Sequence, residues 1–274
     1  MLLEHDNRRT YRPNSQEIQR TARAIVQVLA EHSFHCCLFG STAAAMYGAE
    51  NRNPRHERQD VDVIALVPPA SPAAAEITVE EIKFLISTNS SSDFYLTPSQ
   101  DPNAAHTILH YVLTPFHPHP EDPQHHACKV DLLLPGTIGI PKHIPTDVIH
   151  YEDYFPDIPL LPFGALILLK VRAWNERHVD TKLRKSVMEK KIKTDEEDLR
   201  ELLDLAVNHY MVRLRKIEMW TGWEWVDQHR DIVRKFAKKF PGTRRDWEEI
   251  GIVLKSEWSM APSESSSRAS RVRR

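Results

Sequence analysis

Residues 34–66 read FHCCLFGSTAAAMYGAENRNPRHERQDVDVIAL, and the reading of this stretch decides the fold. An apolar run from Phe34 to Phe39 ends on Gly40-Ser41, and an alanine-rich segment follows and stops at Gly48. A polar, arginine-bearing segment then leads into a second apolar run that carries Asp60 and Asp62. The pattern predicts strand, tight turn, helix, loop, strand. Carboxylates at i and i+2 of a strand leave the same face, so Val61 and Val63 turn to the core while both aspartates turn to solvent or a ligand. Two like charges side by side are unfavourable unless a cation lies between them. A hard divalent ion such as Mg²⁺ suits carboxylate oxygens and commonly shares its shell with phosphates. The Gly40-Ser41 turn opens the helix, where free amides can hold an anion. The bland alternative is a turn glycine, a helix cap and surface aspartates.

A third carboxylate, Asp131, stands inside the apolar run CKVDLLLP, where its burial has a desolvation cost unless it is paired or metal-bound. Upstream, residues 15–31 place Ile18, Ala22, Ile25, Val26 and Leu29 at helical spacing, with Ser15 as expected N-cap. VPPASPAAA reads as a loop, TVEEIKFLIST as a helix, and SDFYLTP and HTILHYVL as antiparallel strands. Between them and Asp131, the histidines His117, His119, His125 and His126 lie among prolines without helical spacing, which favours a mobile surface loop over a metal site. Residues 136–162 are spaced by glycine and proline and predict short edge strands, with a domain boundary near 150.

Beyond that point the pattern is helical. FGALILLKVRAWNERH is apolar nearly all round, and Lys170 within it must either snorkel to water or meet an anion such as a nucleotide phosphate. Thr194 with Glu197 has the form of a capping box, predicting a helix that begins at Asp195, with Asp195 and Asp198 as first-turn acids. Two further helices, over WEWVDQHRDIVRKFAKKF and RDWEEIGIVLKSEW, are expected, with His229 a packed histidine rather than a ligand. The serine- and arginine-rich residues 259–274 predict a disordered basic tail.

A chain of 274 residues with 41% apolar and 27% charged residues has ample material for a core, and its net charge of −2 argues against a generally basic nucleic-acid binder. Lys182, Arg184, Lys185, Lys190, Lys191 and Lys193 form a local basic stretch that reads as a solvated loop or as a contact for RNA. Cys36, Cys37 and Cys128 lie in apolar runs without CxxC spacing, which predicts reduced thiols in a cytoplasmic or nuclear protein and no zinc site. No apolar run suffices for a membrane span, and MLLEHDNRRTYRP does not read as a signal peptide.

Phe39-Gly40-Ser41, Asp60-Val61-Asp62 and Asp131, in this order, resemble the signature of the nucleotidyltransferase superfamily, the DNA polymerase beta-like fold. Within it, the nineteen positions from Ser41 to Asp60, the helix LLKVRAWNERH and the stretch KTDEEDLRELL are similar to the AbiEii-type minimal nucleotidyltransferases, over roughly residues 20–206. Arg58 and His56 stand where that family often has Thr or Ser and Arg. The resemblance implies an α+β fold: a mixed sheet with flanking helices in residues 1–150, then a helical C-terminal region in 151–258. It implies an enzyme that moves a nucleoside monophosphate from NTP to an acceptor hydroxyl on RNA, protein or a small molecule. Asp60, Asp62 and Asp131 would be catalytic and would hold Mg²⁺ or Mn²⁺, Asp131 helping with a second ion. Gly40, Ser41 and Lys170 would bind the nucleotide phosphates, and Asp195 would lend support. Two other classes compete: a catalytically silent nucleotide-binding relative, and an interaction protein that uses only the basic stretch and tail.

Overall fold

The computed structural model describes residues 12–49, 60–67, 77–89, 93–99, 106–113, 126–179 and 185–254. The segment with His56 and Arg58, the connection 68–76, His117, His119, His125, Lys182, Arg184, Trp258 and the tail 259–274 lie outside them.

Helix α1 (Ser15–Glu31) turns the apolar stripe Ile18, Ala22, Ile25 and Leu29 inward. Its N-cap is Asn14, not Ser15: the Asn14 side chain accepts from the amides of Gln16 and Glu17, and the Glu17 carboxylate accepts from the Asn14 amide at 2.8 Å. There follow β1 (His35–Phe39), α2 (Gly40–Met46) and β2 (Val61–Leu66), as the first stretch requires. Next come α3 (Val79–Thr88) and strands β3 (Phe94–Pro98), β4 (Thr107–Val112) and β5 (Ala127–Leu133). The hairpin β6 (His150–Glu152) and β7 (Phe155–Leu160) follows a loop. Helix α3 is tied to β4 through the buried Lys83, which donates to Thr107 O at 2.6 Å and to Glu80 Oε1 at 2.7 Å.

The strands form one mixed sheet in the order β3-β4-β5-β2-β1-β7-β6. The register pairs β2 with β5 in parallel and with β1 antiparallel, and β1 with β7 in parallel. As β1 pairs with it, β7 is not an edge strand, and the sheet runs on to Leu160. Along β5 the alternation is strict: Cys128, Val130 and Leu132 are buried, whereas Lys129, Asp131 and Leu133 are partly open on the other face. The three cysteines are free and buried. Burial pushes the Cys36 and Cys128 thiols up to about 12, which keeps them protonated.

The C-terminal helices are α4 (Phe163–Val179), α5 (Lys185–Asn208), α6 (Leu214–Thr221), α7 (Trp223–Asp227), α8 (Arg230–Lys239) and α9 (Arg244–Ile250). Helix α4 is packed by α5, α6, α8 and α2, which explains its all-round apolar sequence. Three expectations are corrected here. The helix expected to begin at Asp195 begins at Lys185, because its lysines, glutamate and methionine are good helix formers and Thr194 is not a cap. Its hydroxyl instead donates back to Lys190 O at 3.0 Å inside the helix. The run 223–240 is two helices with a break at His229. Finally, α9 ends at Gly251, whose φ of 117° leaves the helical region, so Leu254 is buried from outside the helix. Helix α6 has no counterpart in the sequence reading.

His229 is packed, 4.7 Å ring to ring from Trp225, and its Nδ1 donates to Trp225 O at 2.8 Å. Nε2 meets no hydrogen-bond partner among the described residues. Burial, aided by Arg172, pushes its pKa down from 6.5 to about 4. A depressed histidine contributes stability that is complete above the unfolded value and is lost as pH falls through 6.5 towards 4. Chemical denaturation across that window is expected to show a loss of up to about 3 kcal/mol in the wild type. A His229→Leu chain is expected to show a flatter profile; an unchanged slope would mean that His229 protonates without cost.

Candidate active site

The site begins where β1 ends. Phe39 lies opposite Asp62 in the antiparallel pair, so the chain that leaves β1 passes directly over the Asp62 side chain. Gly40 takes φ 67°, and a Cβ built there would lie 1.9 Å from Asp62 Oδ2. Both the conformation and the space therefore require glycine. The Ser41 amide then hydrogen-bonds the Asp62 carboxylate. One residue on, Thr42 Oγ1 donates to Asp60 O at 2.9 Å and fixes the approach to β2.

The parallel register of β2 and β5 places Asp62 beside Asp131. Asp60, Asp62 and Asp131 each offer an oxygen, and these atoms all lie within 4.8 Å of one another. Such proximity is costly. Burial, then Asp60 and Asp131, push the pKa of Asp62 up to about 8, while Lys170 and the Ser41 amide oppose the rise. Asp60 is raised by burial and by Asp131, against the pull of Lys129. Two carboxylates whose ionisation is disfavoured, with a third within reach, are a fitting donor set for a hard divalent cation.

Two lysines meet this cluster. Lys170, 7% exposed, does not snorkel: its Nζ lies 3.3 Å from Ser41 Oγ and 3.2 Å from Asp198 Oδ2. It thus meets an anion, but one within the chain. Lys129 Nζ lies 2.6 Å from Asp131 Oδ2 and 3.6 Å from Asp60 Oδ2. All six residues singled out in the sequence, Gly40, Ser41, Asp60, Asp62, Asp131 and Lys170, are brought together.

Sequence reading missed Lys129 and Asp198. Lys129 stands two residues before Asp131 and so shares its face, a signal legible in CKVDLLLP. Asp198 and Asp195 are not first-turn acids, because α5 starts ten residues before Asp195. Both are buried, and Arg177 of α4 pairs with Asp195 as Lys170 does with Asp198. A carboxylate four residues before the buried Leu202 and on its face was the available sign.

No protein-family model matches the sequence, and no curated protein matches it. Among solved structures, the chain is similar to an antigenic nucleotidyltransferase-like protein from Paracoccidioides brasiliensis. The TM-score is 0.59, over 86% of this chain and 94% of that one, at 14% identity. The likeness is one of fold: the chain has a nucleotidyltransferase-like α+β fold, a mixed sheet with flanking helices and a helical C-terminal region. No helix among the described residues is long and apolar enough to cross a membrane.

Because the pKa of Asp62 is raised, its contribution to stability is complete below the unfolded value of 3.8 and is lost as pH rises towards 8. In EDTA at the upper end of that window, Asp62→Asn is expected to melt a few degrees above wild type. The two should converge as pH falls, and millimolar Mg²⁺ should raise the wild type alone. A less stable Asp62→Asn chain in EDTA would show that the carboxylates are not in conflict.

Proposed function

We propose that the chain is a Mg²⁺-dependent nucleotidyltransferase that moves a nucleoside monophosphate from an NTP to an acceptor hydroxyl. The acceptor belongs to RNA, a protein or a small molecule, and Mn²⁺ can replace Mg²⁺. The observation that carries this reading is the convergence of Asp60, Asp62 and Asp131 within 4.8 Å, beside a Ser41–Lys170 pair held at 3.3 Å. The nucleotidyltransferase-like fold supports it.

In this reading Asp60, Asp62 and Asp131 hold the metal, which supplies positive charge for the α-phosphoryl group and favours ionisation of the acceptor hydroxyl. Gly40 admits the carboxylate of Asp62 against the backbone, where no other residue could. Ser41 donates its hydroxyl to the β- and γ-phosphates. Lys170 adds a positive charge to the same oxygens as pyrophosphate leaves. Asp198 holds the ammonium from its other side, so Lys170 is positioned before substrate arrives. Residues 1–150 thereby act as the catalytic part, and residues 151–258 contribute Lys170 and Asp198. The pairing of a lysine in the first C-terminal helix with a carboxylate of the next supports a place near the AbiEii-type minimal enzymes.

The test is transfer from each α-³²P-labelled NTP into total RNA and into protein, with Mg²⁺ or Mn²⁺. Label is expected with wild type, and its loss with Asp60→Asn/Asp62→Asn. Lys170→Met should retain at most about a hundredth of the rate. Nucleotide-induced stabilisation without incorporation into RNA, protein or small molecules would leave a binding protein and end the enzyme reading.

A further inference from the structure

Lys129 and Asp131 leave the same face of β5, two residues apart. On β4 the cross-strand neighbour of Lys129 is His110, which meets Thr97 Oγ1 at 3.0 Å and stacks on Tyr95 with ring centroids 5.2 Å apart. The Lys129 ammonium, for its part, meets the carboxylates. Nζ is hydrogen-bonded to Asp131 at 2.6 Å and lies 3.6 Å from Asp60, bridging two members of the triad.

A cation in that place does for Asp60 and Asp131 what a metal ion would do. Lys170 does not duplicate it, because it acts on Asp62 and its Nζ lies beside Ser41 and Asp198. A second divalent ion would need the Asp131 and Asp60 oxygens that the ammonium engages.

We propose that the Lys129 ammonium takes the place of one of the two divalent ions, so that the chain holds a single Mg²⁺ or Mn²⁺ on the Asp60–Asp62 side of the triad. Lys129 is then a positioning residue: it fixes the Asp131 and Asp60 carboxylates and supplies the second positive charge from the protein. The inference rests on the metal-nucleotide reading of the triad given above.

Electron paramagnetic resonance titration of the full chain with Mn²⁺ and α,β-methylene-ATP counts the ions directly. Wild type is expected to bind one tight ion per complex. Lys129→Met should bind two, the second at least tenfold more tightly than any further ion on wild type, and Lys129→Met/Asp131→Asn should bind one again. In EDTA the Lys129→Met chain should melt below wild type, and Mn²⁺ should restore it. Lys129→Gln keeps a polar contact to Asp131 and should give the same count of two, which guards against a folding failure of the methionine variant. Two tight ions on wild type, or one on every variant, overturn the role of Lys129 and leave the metal-nucleotide reading intact. No ion on folded wild type overturns both.

Discussion

Three carboxylates within 4.8 Å of one another are the constraint to which the surrounding structure answers. Their repulsion is set by the sheet itself, since the parallel register of β2 and β5 puts Asp62 and Asp131 side by side and Asp60 follows from its place two residues earlier. The fold offsets this cost with charges from two directions. Lys129 comes from the sheet and reaches Asp131 and Asp60. Lys170 comes from a buried helix and acts on Asp62. Neither removes the conflict, because burial and the neighbouring carboxylates still hold the pKa of Asp62 up at about 8. A site left under-neutralised in this way has free energy to gain from a cation, and that gain is available for binding.

Delivery of Lys170 explains much of the C-terminal architecture. A lysine buried to 7% exposure needs partners, and both come from other elements, Ser41 from α2 and Asp198 from α5. Helix α4 must therefore lie close to the site and be covered by α5. The ion pair of Arg177 with Asp195, further along α4, fixes the same crossing a second time. Gly164 lets α6 approach the start of α4: a Cβ there would stand 3.0 Å from Ile217 and 3.1 Å from Val212. The helical region thus brings Lys170 and Asp198 against α2, next to the carboxylate cluster.

Local pattern made the centre of this arrangement legible. The apolar run into Gly40-Ser41, the alternation through Val61 and Val63, and a carboxylate inside an apolar run at Asp131 each have a meaning that needs no tertiary information. What was not legible depends on pairing between distant elements. The contact of Lys129 with Asp60 exists only through the β2–β5 register, and the task of Asp198 only through the α4–α5 crossing. Thr194 and Glu197 show the limit of a local motif, because the same spacing that caps a helix also occurs inside one. The break at His229 was hidden for a similar reason. The apolar stripe continues through it, but a buried Trp225 whose indole donates to Gly139 O at 2.9 Å fixes α7 separately from α8.

The likeness of fold at 14% identity has a physical reading in the same terms. Strand and helix positions require only apolar side chains of suitable shape, so most of the chain can change freely as long as the pattern stays. A few positions cannot. At Gly40 any side chain collides with Asp62, and at Asp60 and Asp62, whose carboxyl pKa values are raised, a neutral residue would make the chain more stable in the absence of a cation. Stability alone would therefore favour replacing Asp60 and Asp62, whereas it would retain Gly40 only for as long as Asp62 stays. The coexistence of Gly40 with the carboxylate that requires it, beside Asp60 and Asp131, is an arrangement whose electrostatic cost a bound cation would relieve.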